Sequence, residues 1–489
     1  PEPLLPPDIA LQNPHLMNGR SFVVFPKLNQ IVVMIDQDGD ENYLPMSIPL
    51  EGGYPEPIFA ETFAEHRVSI DDPDLERNNL IFVAGAQTES LFRSYLGNLE
   101  TGELTKLNES RFGGMPSGSN EDKSKFVLAE GYGAGDGVLF RYNLGDEKPT
   151  TLLGTPMAER TPESEPRKYN IGPTFFIRND SGILLATSEF EDTYGLAYLS
   201  FDNPTDLKQV PISGTQHEGV GEMEDVRHLT GQSYLLIYNI DGSSWAYEAE
   251  LDEANLKMQA THLLCGKGEL AGGVLESIKY NKEQDEYALS FSTAVSPTQL
   301  YTIGGKNRDQ CRRHTNESIL GLPQEWLSPG EDYPFTSYDG LRISARLYLP
   351  ADELGYEGPR PLVYYIHGGP QGQERPDFAW FSMPFIQFLA LNGFAVFVPN
   401  VRGSTGYGFS YMKHVVRDWG GADRLDHVHA MTEVLPNDER IDVKRAGVVG
   451  RSYGGYMTLT LASRHPELWA AAIDMFGPYD LLTFASRVP

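Results

Sequence analysis

Cysteine is nearly absent: the 489 residues contain only Cys265 and Cys311. Two thiols cannot build a disulfide framework for a chain of this size, so the fold rests on its cores, and the composition fits a reducing compartment with at most one bridge. Positive charge is also scarce. With 39 Lys and Arg against 68 Asp and Glu, the formal net charge is -29. Such a surface repels phosphate backbones and anionic lipid, which argues against nucleic acid or a membrane surface as partner and leaves solubility as the use of the acidity. Long apolar runs are missing too, since no stretch approaches the roughly 18 residues of a membrane-spanning helix. The opening residues, PEPLLPPDIALQNPHL, have neither a basic n-region nor an apolar h-region, so a cytoplasmic location is the expectation for a chain that does not begin with methionine. Neither His-Glu-x-x-His nor paired Cys-x-x-Cys occurs, and no metal or cofactor is expected.

What is present divides into two textures. The chain exceeds the roughly 250 to 300 residues at which single cores stop growing, so two domains are expected, with boundaries at 1–325 and 326–489. In the first, short apolar runs recur: QIVVMI, NLIFVAG, KFVLAE, GILLATSEF, SYLLIYNI and EYALSFST start at 30, 79, 125, 182, 233 and 286, about 50 residues apart. Each is followed by a partner run such as YLPMSIPL or SSWAYEAEL, across turns such as DQDGDENY and NIDGSS, whose Asp, Asn and Gly suit hairpins. Units of this period, each with three or four short strands, predict a β-propeller of six blades, with a seventh shared with or lost from the N-terminal edge. A large irregular β-sandwich is the alternative.

From Glu331 the period changes. FTSYDGLRISARLYLP alternates apolar and polar residues as an edge strand pair does, and strands then alternate with helices. LVYYIHGG, FAVFVPNVRG, RAGVVG and WAAAIDMFG read as buried strands. DFAWFSMPFIQFLALNG, ADRLDHVHAMTEVL and YGGYMTLTLASRHP read as helices, the second stopped by Pro436. This alternation predicts a parallel, doubly wound sheet.

The chemistry centres on Gly450-Arg451-Ser452-Tyr453-Gly454, where the RAGVVG strand gives way to a helix. A Gly-x-Ser-x-Gly in this setting is the nucleophile turn of an α/β-hydrolase: the glycines avoid collision with strand and helix, and the Ser452 hydroxyl is lifted clear. A serine hydroxyl is a weak nucleophile and needs a histidine base oriented by a carboxylate. Upstream, YYIHGGPQG follows the first central strand, so the backbone amides of Gly368 or Gly369, with that of Tyr453, are candidates to hold an oxyanion. His367 precedes the serine on that loop and is read as a positional residue rather than a base.

FTSYDGLRISARLYLP, IHGGP, NVRGSTGYG, DWGGADRLD, GRSYGGYM and AAIDMFGPYDLLTF together resemble the prolyl oligopeptidase family of serine peptidases, nearest its acylaminoacyl-peptidase and dipeptidyl-peptidase-like branch. The resemblance covers 331–489 by motif and the repeats by architecture. It implies a serine-type peptidase with Ser452 as nucleophile, Tyr453 giving one oxyanion N–H, Arg402 and Tyr407 shaping the adjacent loop, and a propeller that restricts access to short peptides. It needs no cofactor and is compatible with a homo-oligomer.

In this family the order is Ser, Asp, His, so both partners of Ser452 are expected after AAAIDMFG. Asp474 and Asp480 lie too close to the serine's own strand-helix unit, and His465 ends the nucleophile helix. His414, His427 and His429 fall on or before the preceding helix. None is assigned. The expectation is therefore a fragment short of roughly a hundred or more residues, inactive as it stands, of a protein that is a peptidase when whole. An esterase or lipase, or a non-catalytic propeller scaffold, are the alternatives.

Overall fold

The computed structural model describes all residues except 1–2, 10, 12–19, 37–38, 41, 87–89, 163, 165–168, 379–380 and 488–489. Parts of the opening segment, of the DQDGDENY turn and of the start of the DFAWFSMPFIQFLALNG helix thus lie outside the described residues. The chain divides into two compact units, one of Pro1–Leu185 with Leu199–Leu207 and Pro489, the other of Ala186–Tyr198 with Lys208–Val488.

The repeats fold as six sheets in which consecutive strands are neighbours. Five have four strands, and the fifth along the chain gains Ile212–Ser213, parallel to Lys257–Cys265. Ile212–Ser213 aside, each apolar run found in the sequence is the second of the four strands of its sheet: Gln30–Ile35, Asn79–Ala86, Lys125–Gly133, Gly182–Thr187, Ser233–Ile240 and Glu286–Thr293. Their partner runs form the third strands. Among the described residues the repeat region forms no seventh sheet.

The pattern of burial explains why these runs are continuous rather than alternating. Ser233–Ile240 is buried at every position after its first, whereas the outermost strand of the last sheet, Gln310–Arg313, is exposed throughout. In the first unit Phe25, Val32 and Met34 of the first sheet pack on Leu80, Phe82 and Ala84 of the second. In the second unit Leu235 and Ile237 pack on Tyr287, Leu289 and Phe291 of the last sheet. Both faces of a central strand are thereby covered, and each large side chain so buried contributes about 2 to 3 kcal/mol.

The α/β part belongs wholly to the second unit. Its strands are β1 (Arg342–Tyr348), β2 (Arg360–Ile366), β3 (Ala395–Asn400), β4 (Ile441–Arg451) and β5 (Ala471–Met475); its helices are α1 (Ser382–Leu391), α2 (Phe409–Lys413), α3 (Ala422–His429), α4 (Tyr453–Arg464) and α5 (Leu481–Arg487). The sheet order is β1-β3-β2-β4-β5, with Glu331–Asp332 outside β1. β1 runs antiparallel to β3 and the rest are parallel. Leu362, Tyr364, Ile366, Phe397 and Val448 of the strands and Met457 and Leu461 of α4 form one core. Ile366 pairs with Gly450 and Gly450 with Asp474 at the carboxyl ends of three adjacent strands, which is where open α/β sheets place their sites.

One expected helix departs from its reading. ADRLDHVHAMTEVL is helical as α3 only to His429, widens into a π turn over Ala430–Val434 and ends in a tight turn over Leu435–Asn437. Pro436 has no N–H and its ring would strike the carbonyl four residues back, so the helix spreads before it rather than running straight to it.

Candidate active site

The turn between β4 and α4 holds Ser452 at φ +53° and ψ −121°. No residue but glycine takes such a conformation freely, and it persists only where the surroundings over-determine it, at a cost of about 1 to 3 kcal/mol. Here Ser452 N–H donates to Met475 O at 3.0 Å and Ser452 O accepts from Tyr456 N–H at 3.0 Å. The side chain is exposed. The glycines around it have no room for more: a Cβ on Gly450 would stand 2.4 Å from the Gly454 carbonyl, one on Gly454 2.1 Å from Ile366 O, and one on Gly455 2.2 Å from Asp474 Oδ1. The need for Gly455 was not read from the sequence, because it arises from Asp474, which accepts from Gly477 N–H at 2.8 Å and so builds the neighbouring turn.

The His-Gly-Gly loop follows β2 directly against the serine. A Cβ on Gly368 would lie 3.4 Å from Ser452 Cβ and 3.9 Å from its Oγ. Gly369 has φ +128°, which suits glycine alone. Tyr453 is the first residue of α4, and the first N–H groups of a helix have no acceptor within it. Gly368 thus stands against the Ser452 side chain, with Tyr453 next to the serine in the chain and Gly369 following Gly368 on the same loop.

His367 is buried, with Nδ1 2.7 Å from Gly368 O and Nε2 3.0 Å from Ser404 Oγ. Burial holds its pKa below the ordinary value; Nδ1–H donates to the Gly368 carbonyl, and Nε2 faces the Ser404 hydroxyl, whose own proton is donated to Val401 O at 2.7 Å. Both nitrogens are spent on the loop. His427 is fully buried, its pKa pushed down to about 3 by desolvation, with Nδ1 3.1 Å from Tyr364 OH. His465 Nε2 lies 2.5 Å from Arg424 Nη1. Among the described residues, no imidazole is hydrogen-bonded to Ser452.

Arg402 and Tyr407 sit in the loop between β3 and α2. The Arg402 guanidinium forks onto two carboxylates, reaching Asp426 at 2.7 and 2.8 Å and Asp339 at 2.8 and 2.9 Å. Tyr407 OH accepts from Gln373 Nε2 at 2.8 Å and Asn400 Nδ2 at 3.1 Å. The same loop is gripped by the propeller part of its unit: Gly406 and Gly408 N–H donate to Glu222, and Ser410 N–H and Oγ–H donate to Asp192 Oδ1. Glu222 and Asp192 gave no signal in the sequence, where they are two of 68 carboxylates.

Beside this loop a polar cavity of about 180 Å³ is lined by Arg342, Arg346, Glu374, Asn400 and Tyr407 among others. Burial raises Glu374 to about 8, against hydrogen bonding from Ser382 that lowers it. A carboxyl whose folded pKa exceeds its unfolded value near 4.5 lends stability that is complete below that value and lost as the pH rises through about 8. The span corresponds to a loss on the order of 5 kcal/mol. Glu374→Gln, which does not titrate, is therefore expected to melt above the wild type at pH 9 and to show no such advantage at pH 5, in thermal scans of the two proteins.

A propeller joined to a mostly parallel α/β sheet, with a strained serine between strand and helix and a glycine loop against it, has the architecture of the propeller-bearing serine hydrolases. Residues 379–488 match the model of the prolyl oligopeptidase family, and the resemblance read from the sequence is borne out. The chain is 32% identical over 184 residues to the uncharacterized peptidase YuxL of Bacillus subtilis, a match covering 38% of this chain and 27% of that protein. It is 27% identical over 260 residues to dipeptidyl-peptidase 5 of Porphyromonas gingivalis, covering 50% and 36%, and 32% identical over 147 residues to the acylamino-acid-releasing enzyme of Mus musculus, covering 30% and 19%. The chain thus spans about a fifth to a third of the length of these relatives. In fold it is similar to puromycin hydrolase, with a TM-score of 0.72 at 18% identity over 99% of this chain and 73% of the other. It is also similar to the acylaminoacyl peptidase of Pyrococcus horikoshii, with a TM-score of 0.61 at 17% identity over 93% and 69%. Among the described residues, no helix is long and apolar enough to cross a membrane.

Proposed function

We propose that the whole protein is a serine oligopeptidase that cleaves peptide bonds of short peptides through an acyl-enzyme on Ser452. The observation that carries this reading is the exposed serine at φ +53° with Gly368 against its side chain. In the proposed step Ser452 Oγ attacks the scissile carbonyl carbon, its proton passes to a histidine base, and the carbonyl oxygen takes the negative charge in reach of the Tyr453 amide and an amide of Gly368 or Gly369. Collapse of the tetrahedral adduct expels the amine, which takes the proton, and water then releases the acyl group.

The relatives' names support an exopeptidase that frees acylated residues or dipeptides from an N-terminus. The net charge of -29 supports peptide rather than nucleic acid as partner. Two free thiols, one exposed, support a reducing, cytoplasmic setting. Residues 1–489 on their own are expected to turn over no substrate, since none of the described histidines is hydrogen-bonded to Ser452 and loss of a base costs several orders of magnitude.

Fluorophosphonate labelling of the whole natural protein, followed by assays on acyl-peptide and free-amine dipeptide anilides and on p-nitrophenyl esters, tests this. Labelling that disappears in Ser452→Ala, with anilides cleaved in preference to esters, is the expected result. A protein that does not label, or that hydrolyses only esters, sinks the peptidase reading.

A further inference from the structure

Ser452 keeps a costly backbone conformation, and the residue after it is held at both ends. The Tyr453 amide lies in the strained turn, while its phenol, at the far end of a rigid ring, donates to Asp423 Oδ2. Asp423 is the second residue of α3 and is 1% exposed; Tyr453 is 4% exposed. The ring between them is wedged. Trp419 meets it edge-on with centroids 4.8 Å apart, Tyr456 lies at 5.6 Å, and the Tyr456 hydroxyl donates to Trp419 O at 3.2 Å. The turn that carries Trp419 is fixed by Asp418, which accepts from Ala422 N–H at 3.0 Å, and it admits no Cβ on Gly420, where one would stand 2.6 Å from Tyr456 OH.

Resting on the reading of Ser452 above, we propose that Asp423 is a positioning residue for the reaction: through the Tyr453 phenol it fixes the first turn of α4, and so aims the Tyr453 N–H at the developing oxyanion. A donor helps such a charge only when it is already in place, and an error of about 1 Å can cost a hundredfold. The grip is strongest when Asp423 is ionised, because a carboxylate accepts a phenol proton better than a carboxylic acid does. Burial, with Asp426 and Asp418 nearby, raises Asp423 to about 6, against the hydrogen bond from Tyr453 that lowers it. The cation beside it, Arg424, turns its guanidinium to Gly420 O and His465, so Tyr453 is the group that meets the Asp423 carboxylate from α4.

The test uses the whole protein and an anilide that the wild type cleaves. Asp423→Ala and Tyr453→Phe are each expected to lower kcat about 10- to 100-fold with KM within twofold, and the double variant to lose no more than either alone. Asp423→Asn, which still accepts the phenol hydrogen, is expected to recover turnover to within about fivefold of wild type, and its melting temperature checks the fold should Asp423→Ala fail to fold. Single losses that multiply in the double variant, an effect confined to KM, or turnover of Asp423→Ala or Tyr453→Phe within twofold of wild type overturn the inference. Wild-type protein that fails to label with fluorophosphonate defeats the reading of Ser452 instead, whatever the Asp423 variants do.

Discussion

Arg402→Met is expected to destabilise the second unit by about 3 to 5 kcal/mol, the cost of removing one partner from a buried ion pair. The Asp426 side chain is completely buried, the Arg402 side chain is 5% exposed, and the guanidinium supplies two of the hydrogen bonds on that carboxylate. Ser337 Oγ–H and the Arg402 N–H remain, at 2.5 and 3.3 Å, but neither carries a charge. Asp339 is 39% exposed and can turn to water, so most of the loss comes from Asp426. Burial already raises Asp426 against the Arg402 contacts that lower it, and the variant removes the lowering. A folded pKa that climbs further above the unfolded value near 3.8 takes stability away as the pH rises. Urea unfolding is therefore expected to show a larger gap from wild type at pH 8 than at pH 5. Arg402→Lys should recover little, because an ammonium cannot fork onto two carboxylates. A variant as stable as wild type at pH 8 would mean that the pair is not what holds β3, α3 and the 337–339 turn together.

The sequence made the propeller legible for a reason that also limits what it shows. A strand covered on both faces has to be apolar at nearly every position, so Ser233–Ile240 and its five counterparts stand out as runs with a period. Outer strands such as Gln310–Arg313 are exposed throughout and look like any polar loop. The serine turn was legible in the same way, since strand, glycines and helix are adjacent in the chain. The contacts made across the chain have no such adjacency. Glu222 reaches the 406–408 amides across more than 180 residues, and Asp423 reaches Tyr453 across 30. Both acids lie in stretches whose pattern shows a strand or a helix start, and nothing local distinguishes a carboxylate that holds a backbone from one that meets water. Asp474 is the converse. It attracts notice as an acid close after the serine, yet its carboxylate builds the 474–477 turn against Gly455.

Gly454→Ala should lower kcat/KM of the whole protein by a hundredfold or more while leaving the propeller intact. Gly454 is in the first turn of α4, where alanine is otherwise the better helix former by about 1 kcal/mol, so propensity alone predicts a gain. Sterics oppose it. The added methyl would stand 2.1 Å from Ile366 O and 2.8 Å from His367 O, backbone atoms of a strand end that a side-chain rotation cannot move. Either α4 lifts away from β2 or the His367–Gly368 segment is pushed aside, and each choice widens the space between Ser452 and the amides proposed to face it. Overpacking of this kind costs about 1 to 3 kcal/mol in stability, a modest share of what the unit holds. The displacement falls on the reacting groups, where about 1 Å is worth a hundredfold. Fluorophosphonate labelling rates compared with far-UV circular dichroism separate the two effects: slow labelling with native spectra is the expected outcome, and wild-type labelling would show that β2 and α4 can part without disturbing the serine.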